Sequence, residues 1–503
     1  MRFPHLPCAV LWFATTALIF AEAPAEGDTD LLRFTNGDSL HGRFNGMEDA
    51  SVVEWSRSNI RNPLILGTAK LRRIALNGGR GIKSLDTPSF VALTNGDRIP
   101  GRVTAVDGET VTLETSFAGT LALPRKHVTT IAPNPHGGAV HYIGPFSEEG
   151  WELLESGDAD PDPGEEPAEE DDLKKADADD AEPARPWVFS GGAWYSNAQV
   201  PIAIDAHLPD KARIRFRMAW RNRLSAVIAF HATLETPDPP EPEEGAKAPA
   251  QLRERQGNGF AQTYGESYVL NVYSSYAMLY RCSFDKEGAP QMDRLSANSA
   301  NVRLSEVGEA DFELRCDRTS NNISLYIDGR FVSQWEDPNG YSGTGTHLAF
   351  ASQNSPGRLR ISDVVASSWN GMLDSARSME STERDVVLLT NGTDRFSGEI
   401  AGLENDKFLL NGTFAEMRLP VAEIEEIRFA RKSRVKLPEA SGQAIRILLQ
   451  PAGRLTVEPV KSTRASMSAR SAAFGDFALD LGYASLLEFS FSDSILDDWD
   501  EDF

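Results

Sequence analysis

The sequence predicts an all-β protein in which a central β-sandwich is flanked by small repeated β-units. Between Asp311 and Trp369, apolar residues alternate with polar ones, and Phe312, Leu314 and Cys316 are one such row. This alternation is typical of strands with one buried face. Before and after that stretch, a segment of the form strand, Asn-Gly turn, strand recurs, and Asn-Gly is a strong hairpin signal. The absence of a long amphipathic helical pattern completes the prediction of an all-β fold.

Length and charge restrict the classes of protein that the chain can represent. Its 503 residues suggest about three domains, and 41% hydrophobic with 25% charged residues is ordinary for globular protein. The net charge of −24 argues against a nucleic-acid partner and against binding to anionic membrane surfaces, because both require clustered Lys and Arg.

The first 25 residues are predicted to be a signal peptide. Arg2 precedes an apolar run over residues 8–20, and small residues follow at 21–25, where cleavage after Ala21 or Ala25 fits an A-x-A site. An uncleaved anchor is the alternative, although the run is short for a membrane span. No later segment is apolar enough to cross a membrane, so we expect an exported protein: periplasmic, attached to the cell surface, or secreted.

Four related units, at residues 28–80, 88–135, 384–432 and 443–492, surround the central region. In the first three, a strand ends in Asn-Gly and a second strand follows a Gly; in the fourth, the turn is Pro451-Ala452. The turns are Asn36-Gly37, Asn95-Gly96 and Asn391-Gly392, and the following glycines are Gly42, Gly101 and Gly398. These "NGD" units resemble small SH3-like or Sm-like barrels of exported bacterial proteins. Sm-like barrels often bind RNA, but the acidic net charge of the chain disfavours that function here. The resemblance therefore implies two barrel pairs that scaffold the central domain.

Cofactors are not predicted from these repeats. Asp38 and Asp97 in the NGD turns raise the question of a calcium site, but ordinary turn chemistry explains an Asp at that place. His136 and His141 lie five residues apart without a third ligand nearby, which is not a zinc signature. The sequence therefore predicts no metal site, and Ca²⁺ stays an unsupported alternative.

Three acidic segments are predicted to be disordered or mobile. Residues 157–185 are rich in Asp, Glu, Pro and Ala and cannot bury enough surface to offset their ordering entropy. Residues 236–255 interrupt the central domain as a mobile insert, and residues 493–503 form an acidic tail.

The central domain, residues 186–371, carries a motif that identifies a fold family. The pattern LYIDG…V…W.D…G.G..LAF.S…L.ISDV…W resembles the C-terminal half of concanavalin A-like (laminin G-like) jelly rolls. The resemblance implies a two-sheet sandwich. It leaves function open, because such domains serve as lectins, glycan hydrolases and adhesion modules.

Two cysteines of this domain could form a disulfide. Cys282 and Cys316 each lie on a predicted strand, and export would permit a bridge. Cys316 belongs to an inward-facing row and could equally be a buried thiol, because the sequence does not give the Cα separation.

Three carboxylates form the candidate catalytic cluster. Glu309, Asp311 and Glu313 alternate along one strand and therefore share a face. Retaining glycosidases with a jelly-roll fold use such a set as nucleophile, helper and general acid. Here Ala310 replaces the bulky aliphatic residue expected before the Asp, and the strand is the one that precedes LYIDG, which weakens this hypothesis.

Aromatic residues next to arginines are the candidate ligand-binding groups. Trp220-Arg221 and Tyr280-Arg281 end two predicted strands, with Tyr273, Tyr276 and Trp335 close in the fold pattern. Sugar rings stack on such side chains, while arginine supplies hydrogen bonds. The alternative is that these rings belong to the core or the rim of the sandwich.

We interpret the chain as an exported, non-catalytic binding protein rather than an enzyme. A polysaccharide or surface glycoprotein would bind one sheet face of the jelly roll through Trp220, Arg221, Tyr280 and Arg281. The alternatives are a glycan hydrolase built around the three carboxylates and a purely structural envelope scaffold. The oligomeric state is left open.

Overall fold

The computed structural model describes residues 29–85, 87–154, 185–190, 192–237, 259–296, 298–354, 358–371, 381–391, 393–449 and 453–489. Nearly every regular element is a strand, which confirms the all-β prediction. The predicted signal peptide, the Pro451-Ala452 turn, the acidic tail and almost all of the linker and insert lie outside the described residues. Among the residues that are described, no helix has the length and hydropathy to cross a bilayer.

Repeat 1, residues 30–75, shows the plan of all four repeats. Its strands are β1 (Asp30–Phe34), β2 (Ser39–Asp49), β3 (Val52–Arg57), β4 (Ile60–Gly67) and β5 (Leu71–Ala75). Successive strands pair as antiparallel hairpins, and β5 returns to pair with β1. A 3-10 turn at Thr68–Lys70 leads the chain from β4 into β5. The order β5-β1-β2-β3-β4 leaves β4 at the edge.

Repeat 2, residues 90–132, follows the same plan, except that its second strand is divided. Its strands are β6 (Phe90–Leu93), β7 (Arg98–Pro100), β8 (Arg102–Val106), β9 (Thr110–Thr115), β10 (Gly119–Pro124) and β11 (Val128–Ala132). The break between β7 and β8 falls at Gly101, whose φ of +154° most residues avoid.

A sandwich of two antiparallel sheets is inserted after repeat 2. Its elements are β12 (Val140–Gly144), β13 (Trp151–Leu153), β14 (Trp187–Ser190), β15 (Ala193–Ser196), β16 (Ile202–Asp205), β17 (Lys211–Trp220), β18 (Ser225–Ala232), α1 (Gly259–Tyr264), β19 (Ser267–Tyr273), β20 (Tyr276–Phe284), β21 (Pro290–Arg294), β22 (Ala300–Asn301), β23 (Gly308–Asp317), β24 (Asn322–Ile327), β25 (Arg330–Glu336), β26 (His347–Ser352) and β27 (Leu359–Ser368). Sheet I has the order β14-β15-β27-β17-β23-β24-β25, with β12 also beside β27. Sheet II has the order β13-β16-β26-β18-β19-β20-β21, with β22 also beside β20.

Repeats 3 and 4 follow the sandwich, at residues 385–428 and 445–488. Repeat 3 contains β28 (Asp385–Leu389), β29 (Arg395–Glu404), β30 (Lys407–Gly412), β31 (Glu416–Pro420) and β32 (Ile424–Arg428). Repeat 4 contains β33 (Ile445–Leu449), β34 (Gly453–Thr463), β35 (Ser466–Ser471), β36 (Gly475–Asp480) and β37 (Ala484–Glu488). Each has a 3-10 turn before its last strand, at Val421–Glu423 and Leu481–Tyr483.

The glycine after each NGD-type turn lies where two backbones approach closely. A Cβ atom on Gly42, Gly101 or Gly398 would lie 2.4–2.5 Å from a carbonyl oxygen of the following strand. No relaxed Cβ contact is that short, so only glycine fits without a backbone shift. This explains why the glycine recurs at the same place in three repeats.

We expect Gly398→Ala to destabilise the protein by about 1–3 kcal/mol, the usual cost of overpacking. Its Cβ would lie 2.4 Å from the Asn411 carbonyl oxygen, and the backbone cannot swing away as a flexible side chain could. Urea unfolding measures the change. Gly67→Ala is the matched control, because Gly67 has φ −71° and no atom within 4 Å of its Cβ position. Equal stability of the two variants would contradict the close-approach explanation.

The four repeats form one body, and they are not paired in chain order. In repeats 1 and 4, the closing strands β5 and β37 pair with each other, and β2 also meets β34. In repeats 2 and 3, the closing strands β11 and β32 pair in the same way. Repeats 2 and 4 touch where Arg98 pairs with Arg454. The buried apolar residues of all four form one continuous core, which we call the barrel body.

A buried aspartate joins the repeats within each pair. Asp30, at the start of repeat 1, accepts the backbone N–H groups of Phe44 and Asn77, and Arg464 of repeat 4 donates to it at 2.6 Å. Arg464 also donates to the Phe44 carbonyl. The same aspartate therefore closes its own repeat and attaches the partner repeat.

Asp385 does the same in repeat 3. It accepts the N–H groups of Ile400 and Ala430, while Arg125 of repeat 2 donates to it at 3.0 Å and to the Ile400 carbonyl at 2.7 Å. The corresponding first residues of repeats 2 and 4 are Ser89 and Ala444. Each pair thus combines one repeat that supplies an aspartate with one that supplies an arginine.

The sandwich begins earlier in the chain than the sequence indicated. The boundary was expected at residue 186, but Val140–Gly144 pairs with β27 and Trp151–Leu153 pairs with β16. Tyr142 and Trp151 pack against the core between the sheets, and the Trp151 indole donates to the Tyr142 hydroxyl. These strands have five and three residues, too few to show an alternating pattern. Strands of the sandwich therefore lie on both sides of the acidic segment in the sequence.

The outer face of sheet I lies against the barrel body. The connector after repeat 2 crosses this face, where Arg215 donates to the Pro135 carbonyl at 2.9 Å and Arg213 to the His136 carbonyl at 3.2 Å. Arg213 also lies 3.6 Å from Glu425 of repeat 3. The opposite sheet, sheet II, therefore carries the sandwich face that points away from these contacts.

Candidate functional site

The three predicted catalytic carboxylates do share a face, and it is the outer face of sheet I. Across the sheet, Ala219, Arg217 and Arg215 lie opposite Glu309, Asp311 and Glu313, respectively. Two of the three carboxylates are in ion pairs.

These ion pairs are close. Asp311 accepts two hydrogen bonds from Arg217, at 2.7 and 3.1 Å, and its hydrogen bond is the main cause that raises the pKa of Arg217. Glu313 is buried, 2.6 Å from Arg315 and 3.6 Å from Arg213. Asp311 is thus held in an exposed cross-strand ion pair, while Glu313 belongs to a buried group of charges in which Arg213 also lies 3.6 Å from Glu425 of repeat 3.

The four predicted ligand-binding residues do not share one sheet face. Trp220 is 2% exposed, lies in the core between the sheets and donates its indole N–H to the Ser305 carbonyl. Arg221 follows β17, and its backbone N–H donates to the backbone carbonyl of Arg358. The prediction that Trp220 lines a binding face is wrong, because its ring continues the inward row of Ile214, Phe216 and Met218.

Tyr280 and Arg281 are neighbours on β20 and therefore face opposite sides of sheet II. Tyr280 faces outward, half-buried, with its ring 6.4 Å from Phe260 of α1. Arg281 lies opposite Tyr268 and its guanidinium is 3.3 Å from the fully buried Asp337. Of the predicted set, Tyr280 alone lies on the outer face of sheet II.

The predicted alternative of a Cys282–Cys316 disulfide is not formed. Both cysteines are free and buried. Cys316 lies in the core between the sheets, whereas Cys282 lies on the outer side of sheet II beneath α1, so a sheet separates them. Burial raises the pKa of both thiols to about 12.

A buried polar chain crosses the sandwich interior beside Cys316. His231 is fully buried; its Nδ1 is 2.7 Å from the Tyr341 hydroxyl and its Nε2 is 3.2 Å from the Pro209 carbonyl. The carbonyl can only accept, so Nε2 carries the proton and Nδ1 accepts from Tyr341. Burial, aided by Arg318, lowers the pKa of His231 to about 4. The imidazole is therefore neutral and structural.

The outer face of sheet II can be mapped from its register. Ala226, Ile228 and Phe230 point into the core, so the residues between them point outward. At the end of the sheet away from α1, two rows cross strands β26, β18, β19 and β20. We call these outward side chains the Asn271 face; they are Ser225, Val227, Asn271, Tyr273, Tyr276, Met278, Ala351 and Gln353.

Asn271 is the residue of this face with unmet hydrogen-bonding capacity. It is 5% exposed and lies between Val227 and Met278 across the sheet. Its Oδ1 is buried and accepts no hydrogen bond from the described residues. A buried oxygen without a donor costs about 1–3 kcal/mol, and native proteins satisfy most such groups. The Asn271 oxygen is therefore a buried acceptor whose hydrogen bond the described residues leave unmade.

Tyrosine rings border Asn271 on the same face. Tyr273 and Tyr276 stack with ring centroids 4.6 Å apart, and Ser225 donates to Gln353 at 3.0 Å beside them. Tyr273 hydrogen-bonds Ser225, and burial raises the pKa of Tyr273. The polar groups are therefore held in place around small and apolar neighbours, Val227 and Ala351.

Asn271 was missed in the sequence because it lies within an apolar strand, Ser267–Tyr273. The signal was present: Val269, Asn271 and Tyr273 form the outward row, and an asparagine is unusual on a β-strand. Elsewhere among the described residues, no group of three or more His, Cys, Asp and Glu side chains could hold a metal ion.

Comparisons by sequence give no relatives: no family model matches the chain, and no curated protein matches it. Comparison of structures finds folds similar to the sandwich. One is a carbohydrate-binding module, CBM66, from Bacillus subtilis, which is 10% identical, with 36% of this chain and 91% of that chain covered and a TM-score of 0.24.

Two further similar structures are a galectin, LEC-6, from Caenorhabditis elegans and a β-glucanase from Bacillus licheniformis. The galectin is 14% identical, with 35% of this chain and 95% of that chain covered and a TM-score of 0.21. The β-glucanase is 10% identical, with 46% of this chain and 98% of that chain covered and a TM-score of 0.25. These likenesses concern the fold and carry no function to this chain.

Proposed function

We propose that this protein is an exported, non-catalytic carbohydrate-binding protein whose ligand lies on the Asn271 face. The observation that carries the proposal is the buried, unpaired Oδ1 of Asn271 on an outward row of sheet II. A sugar hydroxyl is a donor of the right kind, and once a partly buried neighbour such as Met278 or Tyr273 moves aside to open the oxygen, it would make the hydrogen bond that the folded chain leaves unmade.

The surroundings of Asn271 suit a sugar ring. Pyranoses present apolar C–H faces that pack on aromatic rings, and Tyr273 and Tyr276 supply such rings one strand position away. Binding sites commonly combine apolar walls with a few fixed polar groups, which is the composition of this face. Helix α1 packs on the neighbouring part of sheet II, where Phe260 meets Tyr280, and borders the face on that side.

Part of the outer face of sheet I is already occupied. The outer face of sheet I is in contact with the connector and with repeat 3, and Glu313 is committed to arginines there. No observation favours the hydrolase alternative over these structural contacts. We propose that the flanking repeats, which resemble SH3-like barrels in sequence, hold the sandwich so that sheet II faces the surrounding glycans.

Glycan-array binding by the full chain tests the proposal, with Asn271→Ala as the main variant. We expect the wild type to bind at least one array glycan and Asn271→Ala to bind it about tenfold more weakly, the loss that one hydrogen bond of about 1.4 kcal/mol produces. Tyr273→Ala should weaken binding by a similar factor through lost stacking.

The matched control is Gln334→Ala, which removes an exposed amide from β25 of sheet I and should leave binding unchanged. Binding that survives Asn271→Ala would place the ligand elsewhere. No binding by the folded wild type on a broad array would instead favour the scaffold alternative.

A further inference from the structure

We propose that repeat 3 carries a self-association surface that binds the same surface of a second copy of this chain. The surface consists of Asp394, Arg395, Phe396, Ser397 and Phe414, and we call it the repeat 3 end. It would reproduce, between two chains, the contact that joins repeats 2 and 4 within one chain. The inference concerns the barrel body and goes beyond the proposed function of the sandwich.

The four repeats are joined in the order 1-4-2-3. The closing strands join repeat 1 to repeat 4 and repeat 2 to repeat 3, and β7 of repeat 2 pairs with β34 of repeat 4 between these two pairs. In this middle contact Arg98 lies opposite Arg454, and the two hold the same position in their repeats, in TNGDR and QPAGR. An antiparallel pair of equivalent residues relates repeats 2 and 4 by an approximate two-fold axis. Repeats 1 and 3 are therefore the ends of the row.

The middle contact combines a turn carboxylate, a hydroxyl and an apolar hairpin tip. Asp97 of repeat 2 is 3% exposed, and it accepts the backbone N–H of Thr456 at 3.0 Å and the hydroxyl of Thr456 at 2.8 Å. At the hairpin tip of repeat 2, the carbonyl of Phe117 accepts from the N–H of Asp480 in repeat 4 at 2.8 Å. Both parts of repeat 2 are thus covered by repeat 4.

Repeat 3 holds a turn carboxylate in the same orientation, but there it is exposed. Asn391 donates to Asp394 at 2.8 Å, as Asn95 donates to Asp97 at 2.8 Å. The first residues of β29 form strand pairs with β28 of the same repeat among the pairs that the structure describes. Asp394 is therefore presented as Asp97 is, without the neighbouring repeat that covers Asp97.

The apolar groups of repeat 3 show the same difference. Phe117 and Phe414 lie at hairpin tips of related sequence, SFA and TFA, yet Phe117 is 2% exposed and Phe414 is 100% exposed. Phe396 is half-buried, whereas Ile99 and Leu455 in the same position of repeats 2 and 4 are buried. Removing these rings from water would supply the hydrophobic gain for association.

A two-fold axis would form the polar contact twice. In repeat 4 the residue in the place of Asp394 is Gly453, which has no carboxylate, and in repeat 2 the residue in the place of Ser397 is Pro100, which has neither hydroxyl nor N–H. The contact between repeats 2 and 4 is therefore made in one direction. Repeat 3 carries both groups, so the carboxylate of each copy would face Ser397 of the other copy.

Repeat 1, the other end of the row, is less suited to this contact. Its turn has the exposed Asp38, but His41 stands in the place of the serine hydroxyl, and its hairpin tip, Ser58-Asn59, has no aromatic ring. The occupant of the repeat 3 end is therefore repeat 3 of a second copy. A symmetric contact of this kind closes as a dimer, whereas a contact with repeat 1 would continue into a filament.

Sedimentation velocity of the full chain, from low to high micromolar concentration, tests the proposal. We expect a monomer–dimer equilibrium that shifts with concentration. Asp394→Ala removes the acceptor from both copies and should raise the Kd of the dimer by about 100-fold, tenfold for each lost contact. Phe414→Ser should weaken the dimer by a similar factor. The matched control is Asp38→Ala, at the same turn position of repeat 1, which should leave the Kd unchanged.

A cysteine placed on the axis gives a second, independent readout. Because Arg98 lies opposite Arg454 in the middle contact, residue 395 of one copy would lie opposite residue 395 of the other. The Cα separation of such a pair, about 4.5–5.5 Å, is one that a disulfide spans. Arg395→Cys should therefore form a covalent dimer on mild oxidation, whereas Ser39→Cys, at the same position of repeat 1, should not. Cys282 and Cys316 are buried and should not interfere.

Three outcomes would overturn the proposal. They are a wild type that stays monomeric at every concentration, a dimer that Asp38→Ala weakens and Asp394→Ala does not, and equal cross-linking of Arg395→Cys and Ser39→Cys. Glycan binding at the Asn271 face is measured separately, so failure of either proposal leaves the other standing.

Discussion

Asp385→Ala is expected to lower the free energy of unfolding by about 3 kcal/mol, the range found when one partner of a buried ion pair is removed. The carboxylate is 5% exposed, accepts two backbone N–H groups of repeat 3 and pairs with Arg125 of repeat 2. Alanine leaves both N–H groups and the arginine without their acceptor, and water cannot fully replace it. Urea unfolding followed by tryptophan fluorescence measures the loss.

The control for this variant is Asp394→Ala in the same repeat. Asp394 is exposed and caps the hairpin turn through Asn391, so its loss should cost less than about 1 kcal/mol. Asp30→Ala should reproduce the large effect through Arg464. If Asp385→Ala and Asp394→Ala were equally stable, the buried aspartate would not hold the repeats together. A double-mutant cycle with Arg125→Ala separates the ion pair from the two backbone hydrogen bonds.

The second large effect is a loss of stability in acid that depends on His231. The pKa of His231 is lowered to about 4 in the folded chain, from 6.5 in an unfolded one. The unfolded state therefore binds the proton first as pH falls, and the folded state is destabilised between pH 6.5 and about 4. A pKa shift of this size corresponds to a contribution of about 3 kcal/mol to the free energy of unfolding. This contribution is present above pH 6.5 and is lost as the pH falls to about 4.

The measurement is the free energy of unfolding from pH 7 to pH 4 for the wild type and for His231→Asn. Asparagine tolerates the positive φ of 48° at this position, and it removes the titrating group. The variant should lose about 3 kcal/mol less than the wild type over that range. His41→Asn, at an exposed position, should keep the wild-type dependence.

Partial burial together with Arg215 and Arg213 also lowers the pKa of His136, to about 3, so His136 adds to the acid sensitivity of the connector.

If His231→Asn had the same pH dependence as the wild type, His231 would not be the source of the effect.

Local signals predicted the elements of the fold well. The turn at Asn36 joins the first two strands of repeat 1, and the turn at Asn95 joins the first two strands of repeat 2, as predicted. Such turns can be predicted because they depend on a few adjacent residues. Which repeats pair was not predictable, because the contact of Asp30 with Arg464 joins residues 434 positions apart. No local pattern encodes such a contact.

Site residues were predicted less well, and strand parity explains the errors. Trp220 shares the parity of Ile214 and Phe216 and is buried for that reason. Tyr280 and Arg281 are consecutive and so face opposite sides of the sheet. Asn271 could have been found by the same rule, because it breaks an outward apolar row. Its unpaired oxygen, however, is visible only once the neighbouring strands are in place.

The nested pairing of the repeats has a kinetic consequence. Repeat 1 is made first, but its partner, repeat 4, is made last, and the strand β5 keeps one edge open until β37 arrives. At a synthesis rate of 5–20 residues per second, the 434 residues between Asp30 and Arg464 take on the order of a minute. During that time an unpaired edge can recruit a strand of another chain. We therefore expect the pairing of β5 with β37 to be the last step of assembly, after the sandwich and the pairing of repeats 2 and 3 have formed.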